Sequence, residues 1–267
     1  MAQRFVPELV RWIEKNGFEV IFTEKSRKEA ISRRAVKEAD LVVALGGDGT
    51  LLRAVQIVGE LTTPIMGVNL GGLGFLTEFS AREARRGITD FARGRFWEEK
   101  RLVLECRLTD GAGRIKIGYA FNDCAVNMGP SGRVVEVALS WNEKFLNKFV
   151  GDGVVVSTPT GSTAYSLAAG GPVVYPTMTA LVITPLCPHA LAARPIVMPG
   201  DGVLELKLTG KSQTAVVTID GQHRWQFHLE ERITVARANF SVRLVVPREK
   251  SYFEILRNKL KWSGSQR

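Results

Sequence analysis

Cysteine is scarce in this 267-residue chain. The three present, Cys106, Cys124 and Cys187, are odd in number and show no CxxC spacing, which argues against a disulfide framework or a zinc knuckle. Three buried thiols in a reducing compartment are the expectation. Histidine is equally rare. His189, His223 and His228 lack metal-ligand spacing, and the last two fall on opposite faces of a strand. No apolar run approaches the roughly twenty residues that cross a bilayer. The opening MAQRFVPELVRWIEKNG also lacks the apolar stretch of a secretory signal. A GxSxG elbow is missing, and GSTAYS has no evident His/Asp partners, so hydrolase chemistry is set aside. These absences predict a soluble, cytoplasmic protein with no membrane partner.

What is present belongs to a folded enzyme-sized chain. Hydrophobic residues make up 45%, charged residues 24% and aromatics 8%, proportions that exclude a largely disordered chain. The length suits one large domain or two modest ones. Basic residues number 36 against 27 acidic, a formal charge of +9, which raises a nucleic-acid or membrane-surface partner. Their layout weakens that idea. SRKEAISRRAVKE, AREARRG, ARGRF and RNKLKW are spread along the chain and mostly interleaved with acids, as on solvated helix faces. A polyphosphorylated small molecule would gain from the same field.

Helical and strand signals alternate in the first third. Residues 7–16 put Leu9, Val10 and Ile13 on one helical face, with Gly17 as a stop. Residues 18–22 read as a strand and 26–39 as a charged second helix. Leu41–Leu45 is an uninterrupted apolar run, the mark of a strand buried on both faces of a parallel sheet. It leads into Gly46-Gly47-Asp48-Gly49-Thr50 and a helix carrying Leu51, Leu52, Val55 and Val58, closed by Gly59. Pro64–Val68 is the next strand, ending in Asn69-Leu70-Gly71-Gly72-Leu73-Gly74-Phe75. Ligands in such sheets sit where strands end in glycine-rich loops. From about residue 100 the period changes to two. Leu102, Leu104, Cys106 and Leu108 alternate with polar residues, and 134–140, 203–208, 214–219, 223–229, 232–236 and 242–246 are short and strand-like. Residues 251–260 are helical again. The expected architecture is an α/β domain at 1–98 with a parallel sheet, rejoined by 248–267, and a mainly β, sandwich-like domain at 99–247.

Four segments could carry chemistry. In GGDGT, the glycines let backbone amides approach phosphate oxygens, and the helix behind adds its positive end. Asp48 there either caps the helix or serves a metal or a proton transfer. The Asn69–Phe75 loop is a tight turn, with Phe75 either core or a wall for a flat ring. Asn122-Asp123 is a turn signal whose other use is pairing with vicinal hydroxyls. The densest segment is GDGVVVSTPTGSTAYSLAAGGP at 151–172: a strand, a hydroxyl-rich turn and a short helical piece that Ser162 and Thr163 can cap. Tyr165 there offers an aromatic face and a hydroxyl.

Taken together these residues resemble the NAD kinase family, over most of the chain and in the family's order. GGDGT is shared with lipid kinases and, in related form, phosphofructokinases. STPTGSTAYSLAAGGP at 157–172, TPLCPHALAARPIVMP at 184–199 and Asp220-Gly221-Gln222 are close to diagnostic. The resemblance implies phosphorylation of NAD to NADP at the 2′-hydroxyl of the adenosine ribose. Asp48 would take the hydroxyl proton, and Gly46, Gly47, Gly49 and Thr50 would form the phosphate loop. Asn122 and Asp123 would hold the ribose. Thr163, Ala164, Tyr165, Ser166, Leu167 and Ala168 would cradle adenine, with Phe75 walling the same pocket. Asp152 and Gln222 match positions near the dinucleotide, Asp152 towards nicotinamide, and Arg53 and Arg133 match basic or polar contacts. The resemblance also implies a site in the cleft between domains, a homodimer or homotetramer, and ATP or polyphosphate as donor. Mg²⁺ or Mn²⁺ would accompany the donor, with no protein metal ligand assigned.

One departure concerns the start. Family members begin with a short apolar strand, whereas this chain reaches its first helix at Pro7. Either that strand is lost or the start lies downstream of the true one. A lost strand implies an open sheet edge and lower stability. Two other readings stay open at this stage: a GGDGT kinase of lipid or sphingoid alcohols, which has no need of TPTGSTAYS, and a basic nucleic-acid-binding module, which would cluster its cations.

Overall fold

The computed structural model describes residues 2–21, 33–72, 74–129, 132–210 and 213–262. The chain divides into two compact units, Met1–Lys100 with Val242–Arg267, and Arg101–Ser241.

In the first unit, Phe5, Leu9, Trp12 and Ile13 recur at helical spacing on α1 (Ala2–Lys15) and pack on a core with Met66, Val68, Phe79 and Val245. The helix therefore starts before Pro7 and holds that proline within it. Gly17 ends it at φ +80, where Gly17 N donates to Glu14 O and Phe18 N to Ile13 O, the paired bonds of a glycine stop. The strand expected at 18–22 is not formed over 18–21, which pair with no strand among the described residues. Phe18 instead lies on the core as irregular chain. Of the helix expected at 26–39, residues 26–32 lie outside the described residues, and α2 spans Arg33–Glu38.

The apolar run forms β1 (Val42–Gly46), followed by α3 (Asp48–Val58) and β2 (Ile65–Asn69), which is buried along its whole length. β1 and β2 are parallel, from Val42 opposite Ile65 to Gly46 opposite Asn69. β2 is buried on both faces, and β1 buries Val42 and Ala44 on one face while Val43 and Leu45 pack partly buried on the other, so neither alternates apolar with polar residues. Gly67 lets α3 lie close, since a side chain there would meet Leu51 Cδ1 at 2.6 Å. β3 (Phe79–Ser80) continues the parallel pairing at Val68, and α4 (Ala84–Ala92) buries Ala84 and Ile88.

Beyond it the alternation of residues 102–108 yields β4 (Trp97–Thr109), whose hairpin partner is β5 (Ile115–Ala120). The second unit continues through β6 (Asp123–Met128), β7 (Val135–Trp141), β8 (Lys144–Gly151) and β9 (Gly153–Ser157). Then come α5 (Tyr165–Ala168), β10 (Ala180–Leu186), β11 (Ile196–Pro199) and β12 (Val203–Leu208). β13 (Thr214–Ile219), β14 (His223–His228) and β15 (Arg232–Val246) complete the strands. An antiparallel sheet runs in the order β11-β10-β9-β6-β13-β14, and a second joins β15, β12, β7 and β8. Alternate residues of both, among them Val126, Val137, Val156, Leu206, Val217 and Val235, form one core.

The two strands expected at 232–236 and 242–246 are a single strand, β15, whose far end brings Leu244 beside Ile65 of β2 in the first unit. α6 (Tyr252–Leu260) follows, capped by Ser251, whose Oγ accepts from Phe253 N at 3.3 Å. Lys250 donates to Glu78 O at 2.7 Å and to Glu83 Oε2 at 2.8 Å, tying the start of this segment to residues 78–83 within the first unit.

Candidate functional site

The GGDGT loop owes its shape to β1 stopping at Gly46 and α3 starting at Asp48. Gly46 cannot carry a side chain without striking Thr50. Gly47 and Gly49 have no protein atom within 4 Å of where a Cβ would stand, and neither has a positive φ. Packing therefore does not demand glycine at either position, and both leave open space beside the helix's unpaired N-terminal amides. Gly72 is open in the same way.

Asp48 is not the helix cap. Gly47 holds that place without a side-chain bond. The Asp48 carboxylate reaches instead to the next loop: Oδ2 accepts from Phe75 N at 2.9 Å, and Oδ1 from Leu76 N, Thr77 N and Thr77 Oγ1, each at 3.1 Å. Gly74 is glycine because a Cβ there would fall on this carboxylate. Asn69 completes the loop, its Nδ2 donating to Thr77 Oγ1 at 2.8 Å and its Oδ1 accepting from Gly71 N at 2.7 Å. Three donors share Oδ1 while Oδ2 takes only Phe75 N, so of the two acceptor positions on Oδ2 one stays open. Phe75 is half-buried, with Lys259 Nζ 5.9 Å from its ring centre. Arg53 is half-buried on α3.

In the second unit the Asn122-Asp123 turn joins β5 to β6 and is gripped from two sides. Thr158 donates its Oγ1 to Phe121 O at 2.6 Å and its amide to Asn122 O at 2.8 Å. Gly161 presses against Asn122, where a Cβ would lie 2.6 Å from Asn122 Cα and closer still to its carbonyl. On the other side Asp220 accepts from the amides of Phe121, Asn122 and Asp123.

Asp123 is 5% exposed, and no described residue donates to its carboxyl. Burial, with the Asp220 charge second, pushes it from its ordinary 3.8 up to about 7. A carboxyl whose folded value exceeds its unfolded one loses stability as pH rises between the two, here from about 4 to about 7. Donors supplied by a ligand would recover that loss. Ser157 stands directly opposite Asp123 in the β6–β9 register, and its buried hydroxyl has no partner; nor does that of Thr160.

The segment after β9 folds as a 3₁₀ turn at Thr160–Thr163 and then α5. Ser162 and Thr163 do not cap α5. Ser162 Oγ donates to Pro159 O at 2.7 Å and accepts from Val174 N at 3.0 Å, while Thr163 Oγ1 donates to Thr160 O at 3.2 Å. Cap geometry is lost because Ala164 stands between the turn and the helix. Ser166 is buried against Thr184, their hydroxyls 2.8 Å apart, so it faces the core, while Ala168 is exposed and Leu167 half-buried. Tyr165 is exposed enough to meet a ligand, and its OH donates to Asn127 Oδ1 at 3.1 Å. Burial first, then the charges of Asp123, Asp152 and Cys187, push its phenol upward, which places these groups in one neighbourhood. Asp152 accepts from the Cys187 thiol and raises it. Cys187 is exposed, at φ +42, so the expectation of three buried thiols fails for it. The loop after β10 turns it outward, while Cys106 and Cys124 lie in the core. Gln222 is exposed just beyond Asp220, and Arg133 is exposed before β7. The sequence reading passed over Thr158, Ser157 and the side chain of Asp220, although the STPTGST and DGQ segments contain them. Among the described residues no trio of His, Cys, Asp or Glu is placed to hold a metal ion.

Two family models divide the chain between them: the ATP-NAD kinase N-terminal domain matches residues 2–96, and the ATP-NAD kinase C-terminal domain matches 121–246. An NAD kinase of Geotalea daltonii is 39% identical over 96% of this chain and 92% of its own length. An NAD kinase of Geobacter metallireducens is 37% identical over 98% and 94%. Among solved structures, a yeast NADH kinase complexed with NADH superposes with TM-score 0.83 at 27% identity, covering 98% of this chain and 78% of that one. An NAD kinase from Archaeoglobus fulgidus in complex with ATP gives 0.78 at 26% identity, covering 97% and 95%.

Proposed function

The chain belongs to the NAD kinase family, and from that premise we propose how its residues divide the work of the reaction. The enzyme transfers the γ-phosphoryl group of ATP to the 2′-hydroxyl of the adenosine ribose of NAD, giving NADP. The observation that carries the residue assignment is the Asp123 carboxyl, buried yet offered no donor by any described residue beside the unpartnered Ser157 hydroxyl. Vicinal ribose hydroxyls supply the donors that such a carboxylate lacks.

Asn122 and Asp123 hold the ribose. Asp48 Oδ2, with one acceptor position left, takes the proton of the attacking hydroxyl as the new O–P bond forms. The amides around Gly47, Gly49 and Thr50 receive phosphate oxygens, where the charge of phosphoryl transfer is spread. Tyr165 gives adenine a ring face, supported by Thr163, Ala164, Leu167 and Ala168 and by Phe75. Ser166 belongs to the core beneath this segment. Asp152 lies towards the nicotinamide end, and Gln222, Arg53 and Arg133 contribute polar or cationic contacts. Mg²⁺ or Mn²⁺ would accompany the donor and neutralise charge on its phosphates, and no side chain of this chain is assigned to hold it. The proposed functional domains are residues 1–98 with 248–267, and 99–247; they differ from the compact units chiefly at the end of β15, where residues from Val242 group with the first unit.

An oligomer is the expected assembly, a homodimer or homotetramer. β11 is the edge strand of its sheet and shows Ile196 and Val197 to solvent, and Leu191 nearby is 92% exposed. Three free thiols favour a reducing, cytoplasmic compartment. No helix among the described residues is long and apolar enough to cross a membrane.

The decisive assay combines purified protein, Mg²⁺, NAD and either ATP or polyphosphate, with NADP detected by a dehydrogenase that accepts nothing else. NADP formation is expected with ATP. No product with either donor would reject the reading. NADH belongs in a parallel arm, given the likeness to an NADH kinase. In the same assay Tyr165→Ala is expected to raise KM for NAD about 5- to 50-fold while kcat stays within about twofold, because base stacking holds ground and transition states alike. A kcat loss at unchanged KM would place Tyr165 away from adenine.

A further inference from the structure

Asp220 is the motif residue whose side chain these roles leave unused. It follows β13 at φ +49, a left-handed conformation that among non-glycine residues Asn and Asp tolerate best. Its carboxylate is buried. Oδ2 accepts from Phe121 N at 2.9 Å, and Oδ1 accepts from Asn122 N at 2.7 Å and Asp123 N at 3.1 Å. Its own amide returns a bond to Asp123 O at 2.9 Å. Three consecutive amides thus converge on one carboxylate, at the turn that Thr158 grips from the opposite side. Backbone already satisfied by strand pairing would not need this arrangement. It serves a turn that must hold one shape.

We propose that Asp220 is a positioning residue. It fixes the Asn122-Asp123 turn through three amides and keeps a second negative charge beside the Asp123 carboxyl, so the pair takes up ribose hydroxyls only once Asp123 has lost its proton. The proposal rests on the assignment of Asn122 and Asp123 to the ribose.

The charged and titratable groups around the pair can be named. Tyr165 faces Asp123 from the α5 segment. Burial raises the Asp220 carboxyl, the amides of Phe121, Asn122 and Asp123 pull against that rise, and His223, at the start of β14, adds to their pull. Cys106 of β4, a free thiol hydrogen-bonded to the Cys124 thiol of β6, also feels the Asp220 charge. Among the described residues, burial and the Asp220 charge are what act on the Asp123 carboxyl. The protonated carboxyl offers one acceptor fewer and a competing O–H, so ribose uptake is poor in acid and improves as Asp123 ionises, near pH 7.

The test is kcat/KM for NAD against pH, at saturating ATP, for the full-length enzyme and four variants. The wild type is expected to show an acid limb near neutrality. Asp123→Asn should remove that limb. Asp220→Asn should move it about one pH unit towards acid, because a like charge is gone, and should raise KM for NAD at least tenfold with a smaller change in kcat. Thr158→Val loosens the same turn without touching the charge, so KM should rise and the limb should stay. His223→Gln should leave the limb in place, since His223 reaches Asp123 only through Asp220.

A limb that does not move in Asp220→Asn, or that persists in Asp123→Asn, would overturn the proposal. If Asp220→Asn does not fold, Asp220→Ser, which removes the charge and keeps one acceptor for the amides, takes its place with the same expected shift and KM rise, and Asp123→Asn tests the proton alone. A wild type that makes no NADP at any pH would instead sink the kinase assignment, a separate outcome.

Discussion

Asp48→Asn is expected to lower kcat about 10²- to 10⁴-fold, the usual span for loss of a positioned general base, with KM for NAD within about threefold of wild type. The geometry says why the two constants should separate. Three of the four bonds to Asp48 end on Oδ1, and an asparagine that keeps its oxygen there retains them. The new amide then faces Phe75 N, so one bond is lost and two donors oppose each other. That costs about 1–3 kcal/mol of stability, well short of unfolding. Chemistry loses far more, because the remaining acceptor position on Oδ2 becomes an N–H.

A control separates base from tether. Thr77→Val strips the one side-chain donor from Asp48 and leaves Asn69 Nδ2 without its acceptor. It should reduce stability by a similar 1–3 kcal/mol, to about the same order, yet hold kcat within about tenfold. Thermal unfolding together with steady-state kinetics on both variants reads this out. If Asp48→Asn kept most of its kcat, or if Thr77→Val matched its loss, Asp48 would be an anchor for residues 75–77 and nothing more.

The α/β unit was legible because its signals are local. LVVAL is apolar without alternation because β1 is covered on both faces, and the helix after GGDGT shows its buried side as Leu51, Val55 and Val58. The β unit announced itself through period two at Leu102, Leu104, Cys106 and Leu108, every one of them buried. What failed depended on partners remote in sequence. Residues 18–21 have a strand's composition but pair with no described strand, and two short strands merged into β15 because both ends found neighbours. In the candidate site, glycine density and the order of motifs pointed to the right loops. Three features stayed hidden: the clamp of Asp220 on three distant amides, the grip of Thr158 and the reach of Asp48 to the loop at 75–77. Side-chain-to-backbone bonds across long separations leave no periodicity behind. Asp123 read as half of a turn dipeptide because its isolation is a property of what surrounds it, Val156 and Ser157 on one neighbouring strand and Ile219-Asp220 beyond the other.

Two glycines of the proposed site should respond in opposite ways to a single methyl group. Gly161→Ala puts a Cβ 2.6 Å from Asn122 Cα and nearer to its carbonyl atoms. Those atoms are backbone, pinned by Thr158 on one side and Asp220 on the other, so neither partner can step aside. Overpacking of this kind costs about 1–3 kcal/mol and sometimes more. The strain is relieved only by moving the turn, which displaces Asn122 and Asp123. A shift of about 1 Å costs on the order of 10²-fold in kcat/KM, here for NAD. Gly49→Ala meets no protein atom within 4 Å and needs no unusual φ. Within α3 it should raise stability by about 0.5–1 kcal/mol, as alanine replacing helical glycine does. The same methyl occupies the open space assigned to phosphate oxygens, so kcat/KM for ATP should fall about 10- to 100-fold. Unfolding midpoints and the two specificity constants decide between these outcomes. A Gly49→Ala enzyme that is more stable and fully active would remove the phosphate role from the loop. A Gly161→Ala enzyme with wild-type stability and wild-type KM for NAD would show that the Asn122-Asp123 turn is not held as rigidly as its hydrogen bonds require.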